Sequence, residues 1–214
     1  MKGLILKDLL FTKENLKILA IMIIGFTLIG FTTEGMPIGF YIPMFCIMIC
    51  ISTFSYDEYN KWDAYAITLP LTKKQIVLSK YLYTLISVII STLLGLLVSL
   101  GIQYFKEHTI TMATFSNLFG TMFGTTIFVA LLYPFIYKYG SQKGRMFLFA
   151  VVAVIILGFY GVSEILKRMD LSISGIISSS FLDTYGIYIF AFIMIIFYVG
   201  SYLLSVRFYT KKEF

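Results

Sequence analysis

One apolar run in the middle of the chain decides its fold class. Residues 81–105 read YLYTLISVIISTLLGLLVSLGIQYF and contain no Asp, Glu, Lys or Arg. A helix of this length reaches roughly 37 Å, which exceeds the hydrocarbon core of a bilayer at about 30 Å. We therefore predict a membrane-spanning helix whose first turns protrude on one side.

The rest of the chain repeats this pattern. Hydrophobic residues make up 59% of the 214 positions and charged residues 13%, against roughly 45–50% and 25% in soluble domains. This balance excludes a water-soluble globule. We predict an all-α membrane protein with a single transmembrane domain, residues 1–214, in which residues 1–17 form an amphipathic interfacial helix. Its six transmembrane helices are predicted at about 18–33, 38–55, 81–105, 115–137, 146–163 and 185–206.

The basic residues fix the orientation of these spans. The net charge of +6 would favour nucleic acid in a soluble chain, but here 14 of the 17 Lys and Arg residues fall on one side of the predicted bundle. Only Lys106, Lys167 and Arg168 fall on the other side. By the positive-inside rule the N- and C-termini are cytoplasmic, and the chain is a multi-pass protein of the cytoplasmic membrane.

The connection from Glu164 to Thr184 allows two structures. Its middle, Ile173 to Leu182, is apolar and serine-rich but too short to cross the membrane. It either dips back as a re-entrant element or lies on the outer surface as a short helix. Glu164, at the outer end of the fifth span, is interpreted as a solvated interfacial carboxylate without a proton-relay role.

Sites for chemistry are not evident in the sequence. His108 is the one histidine and has no metal-ligand cluster around it, and Cys46 and Cys50 lie one turn apart inside an apolar span. The stretch Gly140 to Arg145 lacks the spacing of a phosphate-binding loop. We therefore predict no catalytic, cofactor-binding or metal-binding residues, so that another chain must bind any ATP that is used.

Two stripes of small residues recur at four-residue spacing. Such stripes allow helices to approach closely, within this chain or with a second copy, and the serines could also line a substrate path. The stripes are Ser87, Ser91, Gly95 and Ser99 in the third span, and Gly120 and Gly124 in the fourth.

The cytoplasmic connection before the third span carries the strongest local signal. Residues 57–67 can form a short helix that bears the one tryptophan of the chain, Trp62. Pro70 then breaks the chain, and Thr72 with Gln75 forms a predicted capping box that starts a helix running into the third span.

This short helix has two interpretations. Aromatic residues among charges are typical of a protein-docking surface, and Trp also suits lipid headgroups. Acidic residues beside an anionic inner leaflet favour docking. The candidate docking residues are Asp57, Glu58, Tyr59, Lys61, Trp62, Asp63 and Tyr65.

The order of these features resembles the permease subunits of ABC-2-type transporters. That family combines an amphipathic N-terminal helix, six spans with both ends inside, a cytoplasmic helix between spans two and three, and a re-entrant connection before the last span. In its small bacterial members a similar acidic and aromatic segment precedes Leu-Pro and Lys-Tyr, as it does over residues 54–81 here. The matching residues are Tyr56, Asp57, Glu58, Trp62, Leu69, Pro70, Lys80 and Tyr81.

The resemblance implies a permease that is not itself an enzyme. Two permeases, here a homodimer, would form a translocation path above separate ABC ATP-binding subunits that hold ATP and Mg²⁺. Residues 57–69 would be the coupling helix seated in a groove of the ATPase. Among the small members the chain looks most like permeases of bacterial exporters for phenol-soluble modulins and related amphipathic antimicrobial peptides.

Two alternatives stay open at this level. One is an exporter of a lipid-like or small-drug cargo. The other is an ATPase-independent membrane enzyme or sensor, in which the short helix serves a cytosolic signalling partner. Co-purification with an ATP-binding cassette protein would separate the second alternative from the exporter.

Overall fold

The protein is described by a computed structural model over residues 2–32, 38–107, 112–147, 149–150, 153, 157 and 179–212. Every regular element within these ranges is helical, without a strand, which confirms the all-α class. His108 and Glu164 lie outside the described residues. So do most of the predicted fifth span, 146–163, and residues 164–178 of the connection predicted over 164–184. The last residues of that connection, from Ser179 on, are described as part of a helix.

Six helices have defined bounds in the described ranges. They are α1 (Lys2–Thr32), α2 (Ile38–Tyr59), α3 (Trp62–Thr68), α4 (Lys73–Glu107), α5 (Met112–Tyr139) and α6 (Ser179–Thr210). Residues 141–147 are also helical and follow α5 after a break at Gly140. Helices α2 and α4 pack against each other and against both α1 and α5, while α6 packs on α5 and α4.

Three helices of the described chain are long and apolar enough to cross a membrane. They are Lys73–Phe105, Thr114–Tyr139 and Tyr188–Thr210, which correspond to the predicted third, fourth and sixth spans. The chain is therefore a membrane protein. The full set of six spans and the cytoplasmic placement of both termini stay predictions.

Helix α1 joins two elements that the sequence analysis treated separately. The predicted interfacial helix over 1–17 and the predicted first span over 18–33 form one uninterrupted helix of 31 residues. No proline occurs between residues 2 and 32, so nothing in this stretch removes a backbone hydrogen bond and ends the helix. At 1.5 Å per residue the helix is about 46 Å long.

The predicted capping box at the start of α4 is confirmed. The Gln75 amide donates to Thr72 Oγ1 at 3.3 Å, and the Thr72 amide donates to Gln75 Oε1 at 3.1 Å. These reciprocal bonds satisfy two backbone donors that a helix N-terminus otherwise leaves unpaired. Helix α4 therefore begins at Lys73, two turns before the apolar run, as the capping box predicted.

The best-packed part of the bundle lies where α2 ends, α4 begins and α5 and α6 end. Tyr81 Oη shares hydrogen bonds with Ser201 Oγ at 2.6 Å and Ser205 Oγ at 2.7 Å. Tyr133 and Phe54 meet edge to face with their ring centroids 4.8 Å apart. Aromatic contacts and buried hydroxyl pairs thus lock four helices together next to the segment that was predicted to dock.

Candidate functional site

The predicted docking segment forms an elbow between α2 and α3, here called the elbow (residues 57–69). A single helix over 57–67 was predicted, but α2 ends at Tyr59 and α3 begins at Trp62. Lys61 caps α3 in the left-handed conformation, with φ 50° and ψ 37° and no side-chain capping bond. That conformation costs roughly 1–2 kcal/mol for a residue with a Cβ atom, so surrounding contacts must hold the turn.

Helix α3 is held on the bundle by one of its faces. Ala66 is fully buried, and Trp62 packs against the hydrophobic core. The Lys7 ammonium from α1 lies 4.1 Å from the centroid of the Trp62 ring, a cation–π contact. Trp62 therefore lies between α1 and the core instead of projecting freely from the elbow.

Four charged residues, of which Asp8, Asp57 and Lys80 are buried and Lys7 is partly exposed, fasten the elbow to the bundle. Lys80 of α4 pairs with Asp8 of α1 at 2.8 Å and with Asp57 at 2.7 Å, and its ammonium also donates to Thr53 Oγ1 at 3.0 Å. Lys7 pairs with Asp57 and lies 3.6 Å from Asp8. Two cations and two anions alternate, so the cluster is neutral, and each carboxylate has more than one cationic neighbour.

The position of this cluster explains how it can persist. Asp8 is 2% exposed and Lys80 5%. An isolated charge at such depth would be very costly, whereas a complete network of close pairs offsets the loss of hydration. Removing one member of a buried pair typically costs about 3–5 kcal/mol, because the remaining charge is left uncompensated.

A second contact anchors Glu58 to the turn after α5. The Ser141 amide donates to Glu58 Oε2 at 2.8 Å, and the Ser141 hydroxyl donates to the same oxygen. The carboxylate thus lies at the N-terminus of helical residues 141–147, where a negative charge is favoured. Burial alone raises the pKa of Glu58, but the Ser141 hydrogen bonds and the charges of Lys212 and Arg145 outweigh it, so this pKa is lowered.

Gly140 makes this contact sterically feasible. It has a positive φ of 87°, and its amide donates to the Ile136 carbonyl at 2.8 Å, the arrangement of a glycine that ends a helix. A Cβ atom at this position would lie 2.8 Å from Glu58 Oε1. Glycine therefore suits the positive φ of this turn, and its lack of a Cβ atom leaves room for the Glu58 carboxylate.

The third acidic residue of the elbow also faces the protein. Asp63 accepts a hydrogen bond from Tyr209 Oη at 3.1 Å, and Lys212 lies 3.7 Å from its other carboxylate oxygen. Asp57, Glu58 and Asp63 are thus all engaged within the chain. From the sequence they are predicted to belong to a charged docking surface around Trp62.

A small cavity lies between the charge cluster and the end of α5. Its volume is about 40 Å³, and Asp8, Asp57, Lys80 and Tyr137 are among the residues that line it. The Tyr137 hydroxyl is buried and has no hydrogen-bond partner among the described residues. No group of three or more His, Cys, Asp or Glu side chains in the described part of the chain is arranged to hold a metal ion.

The outer side of the elbow carries the remaining predicted residues. Tyr59 is 86% exposed and Tyr65 56%, and Lys61 is also exposed. The seven predicted docking residues therefore divide into two groups. Tyr59, Lys61 and Tyr65 are exposed, while Asp57, Trp62 and Asp63 contact the bundle and are at least partly buried. Glu58 contacts Ser141 but is itself exposed.

The residues that hold the elbow were not predicted as a site from the sequence. Lys7, Asp8 and Thr53 had no assigned role there, and Lys80 was noted only as a basic residue beside Tyr81. Their contacts join positions up to 72 residues apart in the sequence. No local sequence pattern predicts which acidic residue pairs with which basic residue. The one local signal is that Asp8 lies directly beside Lys7 in an N-terminal stretch in which basic residues outnumber acidic ones.

The two stripes of small residues have different surroundings. On α4, Ser87, Ser91 and Gly95 are buried and Ser99 is partly buried, and Cys46 of α2 approaches the Ser87 carbonyl with its sulfur at 3.6 Å. On α5, Gly120 and Gly124 are exposed. Nothing lies within 4 Å of a Cβ atom built at either glycine.

Comparison with known proteins gives one match. A family model described as "ABC-2 family transporter protein" matches residues 3–210, which is nearly the whole chain. No curated protein and no solved structure gives a significant match.

Proposed function

The chain belongs to the ABC-2 family of transporter membrane proteins, and on this premise we propose that it is the permease of an ATP-driven exporter. Membership in the family implies a partner ABC ATP-binding subunit, in which ATP and Mg²⁺ would be bound. The permease itself would supply the path through the membrane. Its inner surface must then receive mechanical work from the partner.

The attachment of the elbow to the bundle carries this proposal. A coupling element can transmit force only if it is firmly joined to the helices that must move. The buried cluster of Lys7, Asp8, Asp57 and Lys80 links the elbow to α1 and α4, and Glu58 links it to the turn after α5. A rigid-body movement of the elbow would therefore reach at least three helices together.

Amphipathic peptides are the proposed cargo, of the phenol-soluble-modulin or antimicrobial type. This proposal is supported by the resemblance of residues 54–81 to permeases of such exporters. The candidate spans are also free of charge over 81–105 and 114–137, so they suit a cargo with a large apolar face better than an ion. Hydroxyl groups on α4 and α5 could serve the polar face of such a peptide.

A homodimer is the proposed assembly of the permease. The exposed Gly120 and Gly124 form a G-x-x-x-G pattern on α5, and small residues at this spacing allow two membrane helices to approach closely. A second copy of the chain would complete the translocation path, with one elbow for each ATP-binding subunit.

Reconstitution with the ATP-binding subunit tests the proposed transport. Inside-out vesicles that contain both chains should accumulate a fluorescent amphipathic helical peptide when ATP is added. A peptide of the same composition in scrambled order, without an amphipathic face, is the matched control. Equal accumulation of both peptides would contradict the proposed cargo, and accumulation without the ATP-binding subunit would contradict the exporter.

Trp62 provides a test of coupling. We expect Trp62→Ala to insert normally but to lose most of its export, because α3 loses the ring that packs between Lys7 and the core. Trp62→Phe keeps an aromatic face beneath the Lys7 ammonium and should retain most of the activity. Full substrate-stimulated ATP hydrolysis and export by Trp62→Ala would show that the elbow does not couple the two subunits.

A further inference from the structure

We propose that the elbow meets its partner through a compact aromatic face with one positive charge, formed by Tyr59, Lys61 and Tyr65, here called the outer face. The partner groove that fits it is apolar and carries a carboxylate opposite Lys61. This inference rests on the proposed function, because it names the chemistry of the contact between the permease and the ATP-binding subunit.

The acids of the elbow are unsuited to bind the partner. Asp57 pairs with Lys7 and Lys80, Asp63 with Lys212, and Glu58 accepts two hydrogen bonds from Ser141. A carboxylate that already has its counter-charge adds little attraction for a distant cation. Asp57 and Asp63 therefore present no unpaired negative charge, and the exposed Glu58 has one carboxylate oxygen occupied by two hydrogen bonds from Ser141.

The outer face, in contrast, is aromatic and carries one positive charge. The rings of Tyr59 and Tyr65 are exposed, and tyrosine is a common anchor of protein interfaces because it combines a large apolar ring with a hydroxyl group. Lys61 and Tyr65 lie four residues apart, at the cap of α3 and one turn further on, so they share one side of this helix. Within the described chain the Lys61 ammonium forms no ion pair of the kind seen for Lys7, Lys80 and Lys212.

The backbone at Lys61 is the second observation that points to a partner. Lys61 has the one positive φ among the described non-glycine residues. Glycine or asparagine would occupy such a position with less strain. Strained conformations are concentrated at functional contacts, and here the strain places a long cation at the tip of the elbow. Charge complementarity therefore commits the groove to an acidic group at this point.

Binding measurements with four variants test the outer face. Purified permease in lipid nanodiscs is titrated with its ATP-binding subunit in low salt and in about 0.5 M salt, where charges are screened beyond a few ångströms. Lys61→Asn removes the charge but keeps a side chain that tolerates the left-handed conformation, and Lys13→Asn is the matched control on the exposed part of α1. The double variant Tyr59→Ala/Tyr65→Ala removes both rings, and Asp63→Asn alters an inward acid.

The expected results separate the two groups of residues. Lys61→Asn should weaken binding about tenfold in low salt and make the affinity nearly independent of salt. The double tyrosine variant should weaken binding more than tenfold in both salts. Lys13→Asn and Asp63→Asn should stay within about twofold of the unchanged chain, and Lys61→Asn should unfold at the same temperature as that chain or higher.

Two different failures can be told apart. If the unchanged permease does not bind the ATP-binding subunit, the proposed function itself is wrong. If it binds, but Lys61→Asn and the double tyrosine variant bind equally well while Asp63→Asn does not, the proposed function stands. The outer face is then overturned in favour of an acidic contact.

Discussion

At the scale of single residues, the stability of the elbow depends on charges buried inside the protein. The cluster of Lys7, Asp8, Asp57 and Lys80 is neutral as a whole, and each of its members is stabilised by the others. Surface ion pairs usually contribute about 0–1 kcal/mol, whereas breaking a buried pair is far more costly. Substitutions in this cluster should therefore lower the stability of the fold more than they affect transport directly.

Lys80→Met should lower the free energy of unfolding by about 3–5 kcal/mol, because Asp8 and Asp57 then lose a shared cation. Lys74→Met is the matched control, since Lys74 is exposed on the same helix, and it should change this free energy by less than about 0.5 kcal/mol. Unfolding can be followed by the emission of Trp62, the one tryptophan of the chain. Equal stability of the two variants would show that the cluster is not a buried network.

Glu58 should make stability depend on pH. Its pKa is lowered in the folded protein, so its contribution is present above the unfolded pKa of about 4.3 and is lost as the pH falls through the folded value. Melting temperatures of the unchanged chain and of Glu58→Gln should therefore differ near neutral pH and converge in acid. A difference that grows as the pH falls would have the wrong sign for this contact.

At the scale of secondary-structure elements, the local sequence predicts only some of the residues at which helices begin and end. The sequence predicted the start of α4 correctly because both partners of its cap, Thr72 and Gln75, are three residues apart. It missed the break between α2 and α3, because Asn60 and Lys61 carry no glycine or proline signal. Asp57, Glu58 and Trp62 on either side of the break contact residues distant in sequence, and no local pattern predicts such contacts.

Gly140→Ala tests the turn that holds Glu58. We expect it to destabilise the protein by at least about 1–2 kcal/mol, because a Cβ atom is strained at this φ and would press on Glu58 Oε1. Gly101→Ala is the matched control within α4, where a Cβ atom meets nothing within 4 Å. It should be neutral or stabilising by up to about 1 kcal/mol. Equal effects in thermal unfolding would contradict the role of Gly140.

At the scale of the whole molecule, composition and the length of the apolar runs predicted the fold class. Apolar runs identified the class and the third, fourth and sixth spans as candidates, because bilayer thickness sets a minimum length for them. Lys2–Thr32 is one continuous helix. From the sequence two elements were predicted there, because basic residues give way to apolar ones within this stretch. A helix does not end where polarity changes unless a breaker or a cap is present.

Orientation in the membrane can be tested by labelling of intact cells. The predicted inside location of 14 of the 17 basic residues places position 13 in the cytoplasm and position 106 outside. An impermeant thiol reagent should therefore label Lys106→Cys and leave Lys13→Cys unlabelled until the cells are broken. The native Cys46 and Cys50 are buried and should give a low background. Labelling of position 13 in intact cells would reverse the topology and remove the elbow from any ATPase.

The unbroken course of α1 has a consequence for pharmacology. If α1, about 46 Å long, pivots as a rigid body by about 10° at one end, its other end moves by about 8 Å. Lys7 and Asp8 contact the elbow near one end of this helix. A movement of the elbow should therefore displace the opposite end of the helix near Thr32. A ligand that immobilises this end of α1 should therefore inhibit transport without contacting the ATP-binding site.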